Sequence, residues 1–364
     1  MKSFDVVVRG AGVFGAWTAL HLRRSGRTVA LIDPYGAGNN RSSSGGESRI
    51  LRMGYGADEI YTRWALRSRQ LWTELFARIG RAELFQKTGV LWTPKPNDPR
   101  AAVTKSVFEK HGVPLEEITP ADVARRFPQL HFREERMGLL EPESGVLLAR
   151  RAVQAVVAEA ILEGVEYSED ASFARDRAGS VVYACGPWLP EIFPELLGGR
   201  IRVTRQEVFF FGTPNRSFAP PKMPVWIDIT EEHGAYTIPE LENRGFKLAF
   251  DRHGPQFDPD NHDRFVLGID AARTFLSERF PGLDGAPLVE SRVCQYENTA
   301  TGDFLIDRHP GLENVWLMGG GSGHGFKHGP AVGEYACALI EGRVAAEPRF
   351  SLETKSREPR RAVF

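Results

Sequence analysis

The stretch that decides the fold of this chain is Gly10-Ala11-Gly12-Val13-Phe14-Gly15, near its start. Its spacing, G-x-G-x-x-G, is typical of a turn between a strand and a helix that binds a dinucleotide. The first glycine permits a sharp turn, the second lets a pyrophosphate approach the backbone, and the third lets the helix pack closely on the strand. We therefore predict that the cofactor-binding residues of this turn are Gly10, Gly12, Val13, Phe14 and Gly15.

The segments on both sides of the motif have the character that a βαβ unit requires. Residues 4–8 are a short β-branched run that predicts a buried parallel strand, and residues 16–24 continue with helical spacing. Residues 28–32 predict a second strand, which ends at Asp33. An acid roughly 20 residues after the motif can accept hydrogen bonds from an adenosine ribose. The helix N-terminus offers free N–H groups to the phosphates.

The loop after Asp33 helps to distinguish FAD from NAD, because both dinucleotides share the features described so far. Residues 34–49 form a long polar loop in place of the prompt helix of a simple nicotinamide fold. Its small residues and Arg41, with Ser42 and Ser43 beside it, fit a backbone that wraps over a pyrophosphate. The alternative is a disordered linker.

The composition bounds the class of protein. A chain of 364 residues is too long for one compact core and predicts two domains. The 46 Lys and Arg residues balance 47 Asp and Glu residues, so no net charge favours nucleic acid or an anionic membrane as a partner. Three cysteines are too few and too scattered for a disulfide framework or a zinc site, and no metal is expected. No apolar run reaches the roughly 18 residues that span a bilayer, and the first strand leaves no room for a signal peptide, so we expect a cytoplasmic protein.

The middle of the chain alternates helical and extended patterns. Helical spacing runs over residues 60–79 and 149–163. Residues 181–188 predict a buried strand that ends in a glycine turn, with Cys185 as a small core residue. Three segments are rich in aromatic residues and predict strands of one antiparallel sheet that shapes a substrate pocket. They are 206–211, 225–227 and 245–250.

The last quarter of the chain carries a second glycine-rich segment. The segment Val293-Cys294-Gln295-Tyr296 is followed by Phe304-Leu305-Ile306-Asp307, by a predicted strand at 315–318 and by a glycine-rich run at 319–327. The glycines offer backbone N–H groups without side-chain obstruction, and Pro330 suits the first turn of a helix.

These segments, together with Ser48-Arg49-Ile50-Leu51-Arg52, resemble the flavin-dependent amine oxidases of the monomeric sarcosine oxidase type, within the wider D-amino-acid-oxidase-like family. The resemblance covers nearly the whole chain. It implies an α/β fold, α+β overall, in which a Rossmann-like FAD-binding domain is interleaved with a substrate domain built on an antiparallel sheet. The implied FAD-binding domain comprises 1–80, 149–200 and 295–364, and the implied substrate/catalytic domain comprises 81–148 and 201–294.

The resemblance also implies roles for individual side chains. Arg52 and Lys327 would hold the substrate carboxylate, and Arg49 would lie close to the flavin ring. If this segment were helical, the two arginines, three residues apart, would share one face. Lys247 would stabilise developing superoxide as a fixed positive charge; the alternative is an outward-facing lysine on an alternating strand. Cys294 would bond to the flavin 8α-methyl group, which requires a thiolate near positive charge; the alternative is an inert buried cysteine.

The remaining implied cofactor residues lie in the two glycine turns. His324 is expected to be a structural residue beside the flavin rather than a base. A helix N-terminus near the second glycine turn would stabilise the anionic reduced ring. The residues expected to contact FAD in these turns are Gly186, Trp188, Gly320, Gly321, Gly323, His324, Gly325 and Lys327.

Two departures from the family pattern affect the expected substrate and cofactor. Family members that oxidise sarcosine carry His four residues after the lysine, where this chain has Asp251. A carboxylate there would favour a cationic or polyhydroxy substrate, and fructosyl-amine oxidases also carry an acid shortly after this lysine. The short interval between Gly164 and Val181 leaves little room for the β-meander that the family inserts beside the adenine half of FAD.

The resemblance implies oxidation of a secondary or N-substituted α-amino acid, sarcosine-like, N-methyl or cyclic, by hydride transfer to flavin N5. The expected partners are this substrate and O2, which is reduced to H2O2, and the expected state is a monomer. Three rival functions stay open: a fructosyl-amine oxidase-like activity, an amino-acid dehydrogenase of the same fold that passes electrons to another acceptor, and a non-catalytic flavoprotein or assembly subunit.

Overall fold

The computed structural model describes residues 3–174, 178–228, 234–261 and 265–357. In chain order its strands are β1 Phe4–Arg9, β2 Val29–Ile32, β3 Arg49–Leu51, β4 Phe85–Gln86, β5 Val90–Trp92, β6 Glu116–Ile118, β7 Gly138–Glu141, β8 Gly145–Leu147, β9 Glu166–Ser168, β10 Ala178–Tyr183, β11 Ile201–Phe211, β12 Val225–Ile227, β13 Ala235–Ile238, β14 Phe246–Phe250, β15 Leu288–Thr299, β16 Leu305–Arg308 and β17 Val315–Gly319. Its helices are α1 Val13–Arg24, α2 Glu59–Arg78, α3 Pro99–His111, α4 Pro120–Arg126, α5 Ala149–Leu162, α6 Leu189–Ile192, α7 Pro194–Leu197, α8 Ile269–Arg279 and α9 Gly329–Ile340.

A six-stranded sheet contains the N-terminal glycine motif, with the strand order β16-β17-β10-β1-β2-β9. Strand β1 is parallel to both of its neighbours, and only the edge strand β16 runs antiparallel within the described part of this sheet. Helix α1 packs against α5 and α9 over this sheet, and its Ala16, Ala19 and Leu20 are fully buried. The predicted α/β class with a Rossmann-like unit is confirmed.

An eight-stranded sheet has the order β15-β11-β14-β13-β12-β5-β7-β6. Its longest ladder pairs β11 with β15 in antiparallel register, so that Gln206 faces Cys294. An aromatic core that includes Phe209, Trp226 and Phe246 lies against the sheet. The strands predicted at 206–211, 225–227 and 245–250 all lie in this sheet, which is antiparallel among its described strands except where β12 runs parallel to β5.

A three-stranded sheet with the order β3-β8-β4 shows the conformation of the arginine segment. The segment that carries Arg49 and Arg52 is extended rather than helical, since Arg49 pairs with Leu147 and Leu51 with Gly145. Side chains alternate along a strand, so residues three apart do not share one face. The two guanidinium groups have different acceptors: Arg49 donates to the carbonyl oxygens of Ser43 and Ser48, and Arg52 donates to that of Gly54.

The predicted domain division can be compared with the sheets. Strands of the six-stranded sheet come from residues 4–32, 166–183 and 305–319, whereas those of the eight-stranded sheet come from residues 90–141 and 201–299. The boundary expected after residue 294 lies inside β15. The division itself stays a prediction. Within the described ranges, the helices include none that is both long and apolar enough to cross a membrane.

Candidate active site

A cavity of about 920 Å³ lies at the carboxyl ends of β1, β2, β10 and β17, beside β15. Ligands of open α/β sheets bind at this edge, and the volume is at the upper end of the range of about 300–1,000 Å³ for such sites. The predicted site residues that line it are Gly10, Gly12, Val13, Phe14, Asp33, Ser42, Ser43, Arg49, Gly186, Trp188, Cys294, Gly321, Gly323 and Gly325. Gly15 and Gly320 are not among its lining residues.

The glycine turn has the geometry that its sequence predicts. Gly10 has a φ of 99°, and a Cβ added there would lie 2.3 Å from the Ala184 carbonyl oxygen. A Cβ at Gly15 would lie 1.9 Å from the Gly10 carbonyl oxygen, so this glycine lets α1 approach β1. The Val13 N–H donates to Ser44 Oγ at 3.0 Å. Ser44 was not predicted as a site residue, although it directly follows the predicted residues Ser42 and Ser43 in a run of serines.

Asp33 lies at the end of β2 and is held by the backbone. Its carboxylate accepts hydrogen bonds from the N–H groups of Ala11, at 2.8 Å, and Tyr35, at 3.0 Å. Burial raises the pKa of Asp33, and these hydrogen bonds oppose the shift. These bonds hold the Asp33 carboxylate at the edge of the large cavity, where it can accept a hydrogen bond from a ligand.

Arg41 does not line the large cavity. Its guanidinium forms an ion pair of 2.5 Å with Asp260 and lies 4.3 Å from the ring centroid of Tyr35. Trp188 Nε1 donates to the same Asp260 carboxylate at 2.9 Å. Tyr35 and Trp188 line the cavity, so Arg41 helps to fix the position of two lining side chains without lining the cavity itself.

Cys294 faces the large cavity from β15. Arg49 Nη2 donates to Cys294 Sγ at 3.4 Å. This is the positive charge that a thiolate requires. Arg49 also donates to the Ser43 carbonyl oxygen at 2.7 Å, which fixes its guanidinium beside the thiol.

Lys247 is buried, so the outward-facing alternative was wrong. Its side chain is 2% exposed, and Nζ donates to the Ser48 carbonyl oxygen at 3.1 Å. It lines a separate cavity of about 10 Å³ together with Arg49, Arg292 and Cys294. Burial, with the neighbouring Arg49 guanidinium, holds the pKa of Lys247 well below its usual value.

A second cavity of about 80 Å³ adjoins the large one, because Arg49, Tyr296, Gly323 and Phe326 line both. It brings together the remaining predicted residues Arg52, Asp251, His324 and Lys327.

Arg52 and Lys327 approach this second cavity beside the same tyrosine. The Arg52 guanidinium lies 4.3 Å from the ring centroid of Tyr55 and donates to the Gly54 carbonyl oxygen. Lys327 Nζ donates to Tyr55 Oη at 2.7 Å and to the His324 carbonyl oxygen at 2.9 Å. Burial and the nearby Arg52 hold the pKa of Lys327 well below its usual value, and an anion bound between these two side chains would favour the charged form of Lys327.

Asp251 supplies a carboxylate to the same cavity. Its Oδ1 accepts a hydrogen bond from Tyr296 Oη at 3.1 Å. Burial raises the pKa of Asp251 to about 6, against the lowering effects of Tyr296 and Arg52. The second cavity is therefore lined by the basic side chains of Arg49, Arg52 and Lys327 and by the carboxyl groups of Asp228 and Asp251, a pattern that suits a zwitterion.

Glu297 is a cavity residue that sequence reasoning missed. It is 8% exposed and lines the large cavity, where Oε1 accepts from the Gly321 N–H at 3.3 Å. Its other oxygen has no hydrogen-bond partner among the described residues, and burial raises the pKa of Glu297 to about 7. The available signal was an acid three residues after Cys294 in a strand with a buried face.

The large cavity fits a flavin dinucleotide. It contains a glycine turn at a helix N-terminus and the Asp33 carboxylate, which can accept a hydrogen bond from a ribose. It also contains a buried Glu297 oxygen without a hydrogen-bond partner among the described residues, and the Cys294 thiol beside Arg49. A Cβ at Gly323 would lie 2.6 Å from the Tyr296 ring, so the second glycine turn also packs without side chains. Within the described ranges, His, Cys, Asp and Glu residues form no group that could hold a metal ion.

Comparison with known proteins identifies the family. A model described as FAD dependent oxidoreductase matches residues 5–339. The chain is 28% identical to peroxisomal sarcosine oxidase of Mus musculus, with 96% of this chain and 94% of the relative covered. It is 30% identical to monomeric sarcosine oxidase of Bacillus sp. (strain B-0618), with 92% of each covered.

A solved structure agrees with the fold. The chain matches L-proline dehydrogenase from P. horikoshii with a TM-score of 0.82 at 20% identity, covering 96% of this chain and 97% of that one. At this identity the likeness shows the fold alone. The resemblance predicted from the sequence is confirmed, and the chain belongs to the FAD dependent oxidoreductase family.

Proposed function

We propose that this protein oxidises a secondary or N-substituted α-amino acid, such as an N-methyl or cyclic imino acid, and acts as an oxidase. The observation that carries the proposal is the second cavity, where Arg52 and Lys327 converge and which shares a wall with the large cavity. When bound in the large cavity, FAD accepts a hydride equivalent from the substrate carbon. The relatives named sarcosine oxidase support this substrate class.

The side chains of the second cavity would orient the substrate. Its carboxylate would lie between Arg52 and Lys327, and this places the amine and its α-carbon toward the wall that both cavities share. The amine must lose its proton before oxidation, and Asp251 is a carboxylate in the same cavity that can accept it. The oxidised product is an imine, which water hydrolyses to an amine and a carbonyl compound.

We propose that Lys247 assists the reduction of O2. A buried ammonium stabilises developing negative charge on reduced oxygen far better than a solvated one does. Support comes from its burial and from the small cavity that it shares with Arg49 and Cys294.

We also propose that Cys294 holds FAD covalently. Its sulfur would form a thioether with the 8α-methyl carbon of the flavin. That bond removes one hydrogen from the thiol and one from the methyl group, and O2 takes both as H2O2. The Arg49 guanidinium, which donates to Cys294 Sγ at 3.4 Å, supports the proposal, because cysteines that react as nucleophiles lie beside positive charge.

A dehydrogenase is the second candidate, and a specific observation favours it. Lys247 lies outside the lining of both larger cavities, so it does not face the large cavity, in which O2 would meet the reduced flavin. Lys247→Met separates the candidates, since an oxidase variant should reoxidise in air much more slowly, by roughly 10²–10³-fold, with flavin reduction nearly unchanged. Slow air reoxidation of the wild-type protein would instead indicate a dehydrogenase.

The substrate proposal is tested by anaerobic mixing of the FAD-loaded protein with sarcosine, other N-methyl amino acids, L-proline and fructosyl-glycine. Flavin bleaching identifies the substrate class, and preference for fructosyl-glycine would move the assignment to a fructosyl-amine oxidase through Asp251. Arg52→Ala should raise KM for the carboxylated substrate. Absence of bleaching with every amine would revive a non-catalytic flavoprotein.

We further propose a monomer in the cytoplasm. The balanced charge and the relatives named monomeric sarcosine oxidase support it. Light scattering on the eluting protein tests the oligomeric state: a mass near 40.6 kDa agrees with a monomer, and twice that mass contradicts it.

A further inference from the structure

A buried group of polar side chains stands behind Lys327. Tyr55 Oη lies 2.7 Å from Lys327 Nζ, 2.8 Å from His328 Nε2 and 3.2 Å from His324 Nδ1. His324 Nε2 lies 2.9 Å from the Gly302 carbonyl oxygen. His328 is fully buried, and the other three side chains are at most 7% exposed. Water therefore cannot substitute freely for any of these contacts.

Counting protons gives the direction of each hydrogen bond. The Gly302 carbonyl can only accept, so His324 Nε2 carries its proton and Nδ1 of the neutral ring is an acceptor. The Tyr55 hydroxyl has one proton, which His324 Nδ1 receives. Lys327 can only donate, so it donates to the Tyr55 oxygen. His328 Nε2 must then also donate to that oxygen, which accepts two hydrogen bonds and gives one.

The other nitrogen of His328 agrees with this assignment. His328 Nδ1 has no hydrogen-bond partner among the described residues. A bare lone pair there is tolerable, whereas a buried N–H without an acceptor is costly. Burial and the charge on Lys327 lower the pKa of His328 well below its usual value, so the ring is neutral and carries its one proton on Nε2.

We propose that His328 is a positioning residue that acts through Tyr55 on Lys327, so that one Lys327 N–H points at a carboxylate in the second cavity. Two Lys327 protons are taken by Tyr55 and the His324 carbonyl, which leaves the third for the ligand. The His328 N–H holds the Tyr55 oxygen in place and turns the hydroxyl proton toward His324. The inference rests on the proposed role of Lys327 as a carboxylate anchor.

The test uses the FAD-loaded protein and two small probes, acetate and its uncharged match acetamide, with binding followed by perturbation of flavin absorption. His328→Phe keeps a ring but removes the donor, so the Kd of acetate should rise roughly fivefold, the effect of one hydrogen bond. The Kd of acetamide should stay unchanged. His328→Gln returns an N–H close to the position of Nε2 and should bind acetate nearly as the wild type does.

A double-mutant cycle shows whether the effect passes through Tyr55. Tyr55→Phe should raise the Kd of acetate as His328→Phe does, and the double variant should be no worse than either single variant. An additive loss overturns the proposal, as does equal weakening of acetate and acetamide. If His328→Phe does not fold, His328→Met, which also lacks the N–H donor, replaces it in both arms of the cycle with the same expected result.

Failure of the anchor and failure of the positioning role are distinguishable. If Arg52→Ala and Lys327→Met leave the Kd of acetate unchanged, the carboxylate site of the proposed function fails, and the inference fails with it. If both variants weaken acetate but His328→Phe binds it like the wild type, the anchor stands and the role of His328 is overturned.

Discussion

At the scale of single residues, the site is a set of charges removed from water. Lys247 and Lys327 are 2% and 4% exposed, and among the residues that the structure describes each donates to a carbonyl oxygen and to no carboxylate. Such charges are costly without a function, because burial penalises the charged form. Their concentration in and beside two adjoining cavities is therefore a physical argument for catalysis rather than for stability.

Cys294 is the residue whose role is simplest to test. Cys294→Ala should leave FAD bound but extractable, because the proposed thioether can no longer form. Acid precipitation followed by flavin absorbance of pellet and supernatant measures this directly. Cys185→Ala is the matched control, since that thiol also lines the large cavity, and its flavin should stay in the pellet. Wild-type flavin in the supernatant would rule out the bond.

Asp251 predicts a pH-dependent stability. Its pKa is about 6 in the folded chain against an ordinary value of 3.8, so between these pH values the unfolded chain loses a proton that the folded chain keeps. Stability therefore falls as pH rises through this window, and the penalty is complete above pH 6. Asp251→Asn should raise the free energy of unfolding by about 1–3 kcal/mol at pH 8, and the gain should shrink toward zero near pH 4. Urea denaturation measures both values, and an equal gain at both pH values contradicts the assignment.

At the scale of elements, the contact between α1 and β1 depends on one missing side chain. A Cβ at Gly15 would lie 1.9 Å from the Gly10 carbonyl oxygen, which belongs to the turn itself. Gly15→Ala should therefore push α1 away from the sheet and cost about 1–3 kcal/mol of stability, with weaker FAD binding. Thermal unfolding and FAD titration of the variant measure both effects.

Gly311→Ala is the control for that variant, because a Cβ there meets no atom closer than 3.9 Å. It should leave stability and FAD affinity unchanged. Similar losses in both variants would mean that the close approach at Gly15 is not the cause.

At the scale of the whole molecule, the large cavity connects two sheets. Its walls include the glycine turn after β1 of the six-stranded sheet and Cys294 and Glu297 on β15 of the eight-stranded sheet. A dinucleotide bound there contacts both sheets in the folded chain and neither in the unfolded chain. FAD added to Cys294→Ala apoprotein at 100 times its Kd should therefore raise the free energy of unfolding by about 2.7 kcal/mol. Denaturation followed by circular dichroism tests this, and an unchanged midpoint would contradict it.

Local features were predictable because their causes are local. The spacing of Gly10, Gly12 and Gly15 demands a turn, a close approach and a helix contact within a few residues, and the structure has all three. The segment around Arg49 and Arg52 was different, since its sequence did not decide between helix and strand. It is a strand because it pairs with β8, which is nearly 100 residues away along the chain. Isolated propensity cannot register such a partner.

The sequence by itself determined the Rossmann-like unit, the α/β class and the family, because glycine spacing, strand periodicity and the motif around Cys294 are readable along the chain. Only the tertiary structure decided that Arg52 and Lys327 lie beside one tyrosine, that Lys247 is buried in a separate cavity, and that Arg41 helps to fix two lining side chains of the large cavity. Tyr55 and His328 gave no signal of their own, since a tyrosine and a histidine become site residues through neighbours that are distant in sequence. Burial and hydrogen bonding are properties of the folded chain, and so are the charges that the proposed chemistry requires.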